Sequence, residues 1–284
     1  MTTLLGATEI RALAAAMDLK PAKALGQNFV IDANICRKIV RLADVRSSDI
    51  ALEIGPGLGS LTLALLDEAA HVIAVEIDSR LASQLPVTIA SHSDKKSNLT
   101  VIQADALGIN ELPMQPNVLV ANLPYNVSVP VLLHYLETFP TLRSGVVMVQ
   151  AEVADRLVAQ PGKKDYGIPS VKAAWWAQMS HVGGVSRSVF WPAPNVDSKL
   201  VGFTRRDTPG DEALRLEVFA AIDGAFAQRR KMLRSALKDW LGSSAIAESV
   251  LVKAGIDPTL RGEALKIEHF CAIAIAKREL GIGS

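Results

Sequence analysis

The residues with the clearest chemical potential form a glycine-rich segment flanked by acids. Glu53-Ile54-Gly55-Pro56-Gly57-Leu58-Gly59 completes an apolar run, and Glu76 closes the next apolar run, 21 positions after Gly55. Glycines allow a turn with positive φ and let the backbone approach a ligand closely. An acid at the end of the following strand can accept hydrogen bonds from both ribose hydroxyls of an adenosine-containing cofactor. The pattern predicts a nucleoside-binding site that includes Glu53, Gly55, Gly57 and Glu76.

The same segment helps to distinguish a nicotinamide dinucleotide from a sulfonium cofactor. The fingerprint of a nicotinamide dehydrogenase has a third glycine three places after the second, and this chain has Ser60 there. Glu53 ahead of the loop suits a cationic sulfonium cofactor, which carries no pyrophosphate. Asp105, just past the third predicted strand, can accept a hydrogen bond from the cofactor's adenine amino group, or it can cap a turn. We therefore expect S-adenosylmethionine, with the dehydrogenase as the alternative.

A second motif, Asn122-Leu123-Pro124-Tyr125, follows the fourth predicted strand. The amino nitrogen of adenine is a poor nucleophile because its lone pair is delocalised into the ring. Two acceptors, the Asn122 side-chain oxygen and the Leu123 carbonyl, can hold that amino group in the geometry of the transition state. Tyr125 offers a ring for stacking against an extruded base. The motif indicates methylation of an adenine amino group. The alternative is a strand-ending turn with Tyr125 in the core.

The elements that must position these residues alternate between strand and helix. Apolar runs and helical spacing predict strands over 50–54, 72–76, 99–103, 118–121 and 145–150, with helices near 60–67, 78–85 and 128–137. Such alternation implies parallel βαβ units with helices on both faces, and ligands bind beyond the carboxyl ends of the strands. Two helices are predicted ahead of this region, over 8–17 with Thr8 as N-cap and from Asp32 onward.

Beyond Gln150 the pattern changes. We expect a helix over 151–159, a short helical stretch carrying Trp175 and Trp176, a proline-interrupted loop at 191–194 and a strand over 198–204. The segment 207–211 has linker chemistry, and only helical periodicity follows it. The predicted division is a Rossmann-like catalytic domain over 1–206, with an N-terminal helical extension, and a small all-helical domain over 207–284.

Composition limits the other possibilities. The 284 residues are 49% apolar and carry a formal net charge of +1, so any surface for nucleic acid must be local. Two cysteines without a CxxC or Cys/His cluster favour a reducing compartment and argue against a disulfide framework or a zinc site. No apolar run is long enough to span a bilayer, and the N-terminus does not read as a secretory signal. We expect a cytoplasmic protein with no bound metal.

These motifs together resemble the ribosomal RNA adenine dimethyltransferases, specifically the bacterial small-subunit type. The resemblance runs in order from about residue 20 to residue 240. Its matching segments are Gly26-Gln27-Asn28-Phe29, Glu53 to Gly59, Glu76-Ile77-Asp78, Gln103 to Ala106, Asn122 to Asn126, Gln150 to Val153, Phe190 to Ser198, and Gln228 to Arg234.

The resemblance implies a class I S-adenosylmethionine-dependent methyltransferase, with a seven-stranded, mostly parallel sheet and a small C-terminal helical domain. It also implies transfer of four methyl groups, which gives N6,N6-dimethyladenosine at two adjacent adenines in the 3′-terminal hairpin loop of small-subunit rRNA. By matching position, the cofactor contacts are Asn28, Val30, Gly55, Glu76, Asp105 and Asn122. Asn122, Leu123 and Tyr125 serve the target adenine, with Phe190 as a second stacking face or, alternatively, as loop packing.

A run of basic residues between Arg229 and Lys238 is a candidate RNA-binding segment. Helical spacing places Leu233, Ala236, Leu237 and Trp240 on one face, with basic side chains beside it. Alone, such a run indicates a solvated face. With the resemblance, it predicts contacts to RNA phosphates through Arg230, Lys231 and Arg234.

Three alternatives stay open from the sequence. One is a large-subunit enzyme of the same superfamily, since those enzymes also carry Asn-x-Pro-Tyr. Another is a non-catalytic RNA-binding or assembly factor that kept the fold, and the third is the dehydrogenase. In the leading interpretation, the partner is the 30S subunit or its precursor, and the protein has a role in 30S biogenesis in addition to catalysis. We also expect a monomer that binds no membrane.

Overall fold

The predicted alternation of strands and helices is present in the computed structural model, which describes residues 2–19 and 27–282. The elements within these ranges are α1 (Ala7–Ala16), β1 (Phe29–Val30), α2 (Ala33–Leu42), β2 (Ile50–Ile54), α3 (Ser60–Glu68), β3 (His71–Glu76), α4 (Ser79–His92), β4 (Leu99–Gln103), β5 (Val118–Asn122), α5 (Ser128–Thr138), β6 (Ser144–Gln150), α6 (Ala151–Val158), α7 (Ile168–Ala173), β7 (Ala177–Val185), β8 (Phe190–Trp191), β9 (Ser198–Arg205), α8 (Glu212–Ala227), α9 (Leu233–Ala236), α10 (Lys238–Leu241), α11 (Ser244–Lys253) and α12 (Ile267–Glu279).

The main sheet of the described chain has seven strands in the order β4-β3-β2-β5-β6-β9-β7. Five adjacent strands, β4, β3, β2, β5 and β6, run parallel to one another. The next strand, β9, is antiparallel to β6. The chain first extends the sheet outward from β2 to β4, and then continues on the other side of β2 with β5. Strand order therefore reverses between β2 and β5, which is where an open α/β sheet forms a crevice for ligands.

The central strands are buried on both faces. In β5 the four residues Val118 to Ala121 have no measurable exposure, and in β3 only His71 is more than slightly exposed. Continuous apolar runs of this kind fit parallel strands that are covered by helices on both sides. Their burial fixes the strand register, so the polar residues at the carboxyl ends of β2, β3 and β5 are held at one edge of the sheet.

The chain divides into two compact units, one over 1–154 and 179–205 and the other over 155–178 and 206–284. The second unit resumes at Arg206, next to the predicted division, and it also includes residues 155–178, which the sequence analysis assigned to the catalytic domain. Aromatic packing accounts for this difference. Trp175 and Trp176 both contact the ring of Phe219 edge-on, and the Tyr166 hydroxyl donates to the Leu265 carbonyl at 2.6 Å.

Several local predictions are corrected. The first helix begins at Ala7, not after Thr8, because the Glu9 carboxylate accepts from the Gly6 N–H at 2.6 Å and takes over the role of the cap. The two tryptophans lie in a turn after α7 instead of within a helix. The predicted helix near 78–85 continues past Pro86 to His92, because its buried face extends to Ile89.

Two features were not predicted. The strand β7 covers residues for which the sequence analysis predicted neither helix nor strand. In addition, β1 and β8 form a two-stranded antiparallel ribbon, with Phe29 opposite Trp191 and Val30 opposite Phe190. Two-residue strands have no periodicity to detect.

No helix in the described ranges is both long and apolar enough to cross a membrane.

Candidate active site

The glycine-rich segment forms the turn between β2 and α3. Gly55, Gly57 and Gly59 all have positive φ, and Gly59 is the N-cap of α3. At Gly57 a side chain is excluded for a second reason, because an added Cβ would lie 2.9 Å from Cδ1 of Phe29. Glycine is therefore required at position 57 both by backbone conformation and by the close approach of the Phe29 ring.

Ser60 has a structural role at the position where a dehydrogenase carries its third glycine. Its hydroxyl donates to the Val30 carbonyl at 2.7 Å. This bond ties β1 to the first turn of α3, and Phe29 in β1 also stacks on Trp191 at 6.3 Å between ring centroids. The segment that carries Asn28 and Val30 is thereby fixed beside the glycine turn.

Glu76 closes β3 next to this turn and is 4% exposed. Its two carboxyl oxygens accept from the Gly57 N–H at 3.1 Å and from the Asp78 N–H at 3.0 Å. These bonds orient the carboxyl group and hold it against the glycine turn. Each carboxylate oxygen has two lone pairs, so acceptor capacity is left for ligand hydroxyls.

All eight residues predicted to bind the cofactor line one cavity at the carboxyl ends of β2, β3 and β5. They are Asn28, Val30, Glu53, Gly55, Gly57, Glu76, Asp105 and Asn122. Among the described residues that line this cavity, the charged ones are Glu53, Glu76 and Asp105, and all three are acids. An acidic lining attracts a cationic ligand and repels a pyrophosphate. The side chains therefore fit a sulfonium cofactor better than a dinucleotide.

Glu53 is the most deeply buried of these acids, with 1% of the residue exposed. Burial raises its pKa to about 8, and this rise is opposed by the Thr62 hydroxyl, which donates to Oε2 at 2.6 Å, and increased by the negative charge of Glu76. The pKa of Glu76 is also raised, mainly by burial. The cavity thus holds two buried carboxyl groups on neighbouring strands, an arrangement that favours a cation between or beside them.

Replacing Glu53 by glutamine is expected to remove a pH dependence of folding stability. Since the folded-state pKa of about 8 lies above the ordinary value of 4.5, the folded state holds the extra proton between these pH values. Wild-type stability should therefore fall relative to Glu53→Gln as pH rises through this window, by about 1.4 kcal/mol per pH unit. Urea unfolding of both proteins at pH 6 and pH 9 measures this. Parallel pH profiles would show that Glu53 is ionised in the folded protein.

Asp105 follows β4 and is exposed at the mouth of the cavity. Its Oδ1 accepts from the Leu107 N–H at 3.0 Å and caps the short 3₁₀ turn Ala106–Gly108. Asp105 therefore does cap a turn, which the sequence analysis gave as the alternative to cofactor binding. It uses one oxygen of the carboxylate, and the side chain still lines the cavity beside Leu107.

Asn122 is the last residue of β5 and faces the same cavity. Its Nδ2 donates to the Asn28 carbonyl at 3.1 Å, which fixes the orientation of the amide. Its Oδ1 is buried and has no hydrogen-bond partner in the described chain. An unsatisfied buried acceptor costs about 1–3 kcal/mol, so its position at a cavity wall indicates a site prepared for a donor from a ligand.

The other residues predicted to serve the target adenine do not line the cavity, although Leu123 and Tyr125 alternate in sequence with the lining residues Asn122, Pro124 and Asn126. Leu123 is buried, and its N–H donates to the Met148 carbonyl at 3.1 Å. The Tyr125 hydroxyl is hydrogen-bonded to the Ser198 hydroxyl at 2.7 Å, and burial raises the pKa of Tyr125. Phe190 lies farther away in sequence, in β8. It is 3% exposed within the apolar core, so an adenine can stack on it only if β8 moves.

Some residues in or near the cavity were given no role of their own in the sequence analysis. Ile77 and Leu107 are apolar and are 51% and 40% exposed at the cavity. Gln27 donates from Nε2 to Asp78 Oδ2 at 3.3 Å, next to Glu76. Ser198, which holds Tyr125, lies 73 positions away in sequence. The neighbouring residue Gly26, part of the matching segment, lies outside the described residues.

The three residues predicted to bind RNA are in the second unit, but the single basic helix predicted for them is wrong. The helix α8 ends at Ala227, a turn follows through Arg230, and α9 begins only at Leu233. Arg230 and Lys231 are exposed, and Arg234 is half-buried and paired with Glu248 at 3.4 Å. Two of the three cations are therefore presented by a turn.

Comparison with known proteins agrees with this site. The ribosomal RNA adenine dimethylase family matches residues 19–279. The chain belongs to this family. A protein of an Arthrobacter species named ribosomal RNA small subunit methyltransferase A is 55% identical and aligns with 97% of this chain and 94% of its own length. A protein of Streptomyces coelicolor with the same name is 57% identical over 95% of this chain and 96% of its own length.

Solved structures support the same assignment. A dimethyladenosine transferase from Plasmodium falciparum is 26% identical, with a TM-score of 0.74 and coverage of 89% of this chain and 98% of its own. The 23S rRNA methyltransferase ErmE is also 26% identical, with a TM-score of 0.66 and coverage of 88% and 99%. The predicted class I methyltransferase fold with a C-terminal helical part is confirmed.

Membership settles the class of reaction and the cofactor. The protein is an rRNA adenine dimethyltransferase, and its methyl donor is S-adenosylmethionine. The alternatives of a dehydrogenase and of a non-catalytic factor are therefore wrong. The acidic cavity and the unpartnered Asn122 Oδ1 are the features of this chain that fit a cationic cofactor and an amino-group substrate.

Proposed function

We propose that this chain methylates N6 of two adjacent adenines in the 3′-terminal hairpin loop of small-subunit rRNA, with the 30S subunit or its precursor as substrate. It acts in the cytoplasm as a monomer, with a role in 30S biogenesis. The relatives named for the small subunit are 55% and 57% identical over nearly the whole chain, whereas the large-subunit enzyme ErmE is 26% identical. This contrast favours the small-subunit substrate.

The observation that carries the proposal is the buried, unpartnered Oδ1 of Asn122 at the wall of an acidic cavity. S-adenosylmethionine supplies a methyl group on a positively charged sulfur. Glu76 would accept from the ribose hydroxyls, and Asp105 would accept from the cofactor's adenine amino group. Glu76 and Glu53 line the same cavity, and a cationic ligand bound beside them would favour the ionised form of both carboxyl groups. In this arrangement, hydrogen-bond acceptors and carboxyl groups would hold the cofactor, and cationic side chains would not take part.

The target amino group is held by two acceptors, Asn122 Oδ1 and the Leu123 carbonyl. Both would favour the tetrahedral nitrogen whose lone pair attacks the methyl carbon while the bond from that carbon to sulfur breaks and S-adenosylhomocysteine leaves, so their contribution would be greatest in the transition state. The nitrogen becomes acidic once alkylated, and it loses a proton without a dedicated base. Tyr125, fixed by Ser198, offers its ring to the extruded adenine.

The test is a transfer assay with tritiated S-adenosylmethionine and two substrates, unmethylated 30S particles and 50S particles, followed by nucleoside analysis. Label in N6,N6-dimethyladenosine from 30S particles, close to four methyl groups per particle, is the expected result. Label from 50S particles alone would assign the large-subunit substrate instead. Sedimentation of the purified protein measures the predicted monomer.

A further inference from the structure

Glu53 is a buried carboxyl group with a single hydrogen bond from the described chain. The residue is 1% exposed, and its Oε2 accepts from the Thr62 hydroxyl at 2.6 Å. The second carboxyl oxygen has no partner among the described residues, and Glu53 lines the cavity at the carboxyl end of β2. A buried carboxylate with so few donors is costly, so these surroundings favour the protonated form.

Glu76, on the adjacent strand β3, is better supplied with donors. Its carboxyl oxygens accept from the peptide N–H groups of Gly57 and Asp78, at 3.1 and 3.0 Å. Such donors stabilise the ionised form of a carboxyl group. Of the two buried acids, Glu76 is therefore the one suited to carry negative charge, and Glu53 is the one suited to hold a proton. The charge of Glu76 further disfavours ionisation of Glu53.

The other groups around Glu53 supply no compensating cation. The helix α3 contributes the Thr62 hydroxyl, and β5 contributes the uncharged Asn122 to the cavity. On α2, the pKa of the Cys36 thiol is raised to about 12, mainly by burial and also by its proximity to Glu53, so this thiol stays neutral. Every charged residue in the described lining of the cavity is an acid. A cationic ligand is therefore the partner that would ionise Glu53.

We propose that Glu53 gives up a proton to solvent when a cationic group of S-adenosylmethionine binds beside it, and that Thr62 is the positioning residue that stabilises the carboxylate formed. This inference rests on the cofactor placement in the proposed function and extends it, because cofactor binding then releases a proton. Once the positive charge is lost, through methyl transfer or through release of the product, Glu53 takes a proton back from solvent. Over one cycle Glu53 loses and regains one proton, in addition to the proton that leaves the alkylated nitrogen.

The pH dependence of cofactor affinity measures this proton release. Glu53→Gln keeps the shape of the side chain but has no proton to lose. Since the pKa of Glu53 is about 8, wild-type affinity for S-adenosylmethionine should rise with pH up to that value. The ratio of the Kd of Glu53→Gln to the wild-type Kd should increase by up to about tenfold per pH unit from pH 6 to pH 8, and then level off. Groups that titrate on the ligand itself affect both proteins and cancel in this ratio.

Isothermal titration calorimetry counts the proton directly. Titrations with S-adenosylmethionine at pH 7, in buffers of different ionisation enthalpy, should show close to one more proton released by the wild-type protein than by Glu53→Gln. S-adenosylhomocysteine keeps the α-ammonium group but lacks the sulfonium, so it identifies the cationic group. Extra release with S-adenosylmethionine alone places Glu53 beside the sulfonium, and extra release with both ligands places it beside the ammonium.

A double-mutant cycle tests the positioning role of Thr62. Thr62→Val removes the hydroxyl that donates to Glu53, so the free protein holds its proton more tightly. It should weaken S-adenosylmethionine binding several-fold at pH 7 and move the levelling-off of affinity above pH 8. In the Glu53→Gln background it should have little effect. Thr88→Val is the matched control, because Thr88 is also buried but its hydroxyl oxygen accepts from Gln84 Nε2 at 3.3 Å. That control should keep the wild-type pH profile.

Two results would overturn the inference. If the wild-type protein and Glu53→Gln share one pH dependence and release equal numbers of protons with both ligands, Glu53 does not change its protonation state. Equal losses from Thr62→Val in both backgrounds would leave Thr62 a purely structural role. Thermal unfolding shows whether each variant is folded. These titrations contain no RNA, so failure of the 30S transfer assay would reject the proposed substrate without affecting the proton release.

Discussion

Asn122→Ala is expected to reduce methyl transfer by at least about 100-fold while leaving the protein folded. The substitution removes the buried Oδ1, which has no partner in the described chain, together with the bond from Nδ2 to the Asn28 carbonyl. Loss of the unsatisfied acceptor offsets part of the lost hydrogen bond, so stability should change little. Because the acceptor acts mainly on the attacking nitrogen, the loss should fall on kcat.

The measurement is single-turnover transfer from tritiated S-adenosylmethionine to unmethylated 30S particles, with RNA affinity measured separately. Asn117→Ala is the matched control, because Asn117 precedes the same strand at its opposite end, where its Oδ1 accepts from the Ile50 N–H at 3.1 Å. That control should lower stability without a comparable loss of kcat. Turnover of Asn122→Ala near the wild-type value would remove Asn122 from the mechanism.

The parts of the site that the sequence predicted are those fixed by strand ends. Buried apolar runs define β2, β3 and β5, and the polar residue in the last two positions of each strand then lies at the carboxyl edge of the sheet. Glu53, Glu76 and Asn122 follow from this rule, and all three line one cavity. Local spacing was sufficient here because parallel strands align their ends without help from distant residues.

Other features depend on contacts between distant segments, which spacing cannot reveal. Tyr125 is held by Ser198, and the ribbon that pairs Val30 with Phe190 joins residues 160 positions apart. Periodicity favoured a continuous basic helix because Leu233 and Leu237 are correctly spaced. The helix is interrupted because the N–H of Leu233 donates instead to the carbonyl of Leu260. Tertiary hydrogen bonds outweighed the local preference.

Glu76→Ala is expected to weaken S-adenosylmethionine binding by at least about tenfold, since a hydrogen bond to a charged group contributes about 1.5–3 kcal/mol. The carboxyl group is 4% exposed and is oriented by the N–H groups of Gly57 and Asp78. Removing it takes away the ribose acceptor and also leaves these two donors without their partner, so the glycine turn loses its support. Both effects act on the cofactor, and neither involves the basic segments of the second unit.

Calorimetric titration with S-adenosylmethionine and with S-adenosylhomocysteine separates these contributions. The ribose is common to both ligands, so loss of the ribose acceptor should weaken both by a similar factor. Loss of negative charge near the sulfur should weaken the cationic ligand more. Asp78→Ala is the control, because Asp78 is adjacent but its carboxylate is engaged by Arg80 at 3.0 Å and by Gln27 at 3.3 Å. Unchanged affinity in a folded Glu76→Ala protein would move the ribose contact away from Glu76, and a large loss in Asp78→Ala would move it to Asp78.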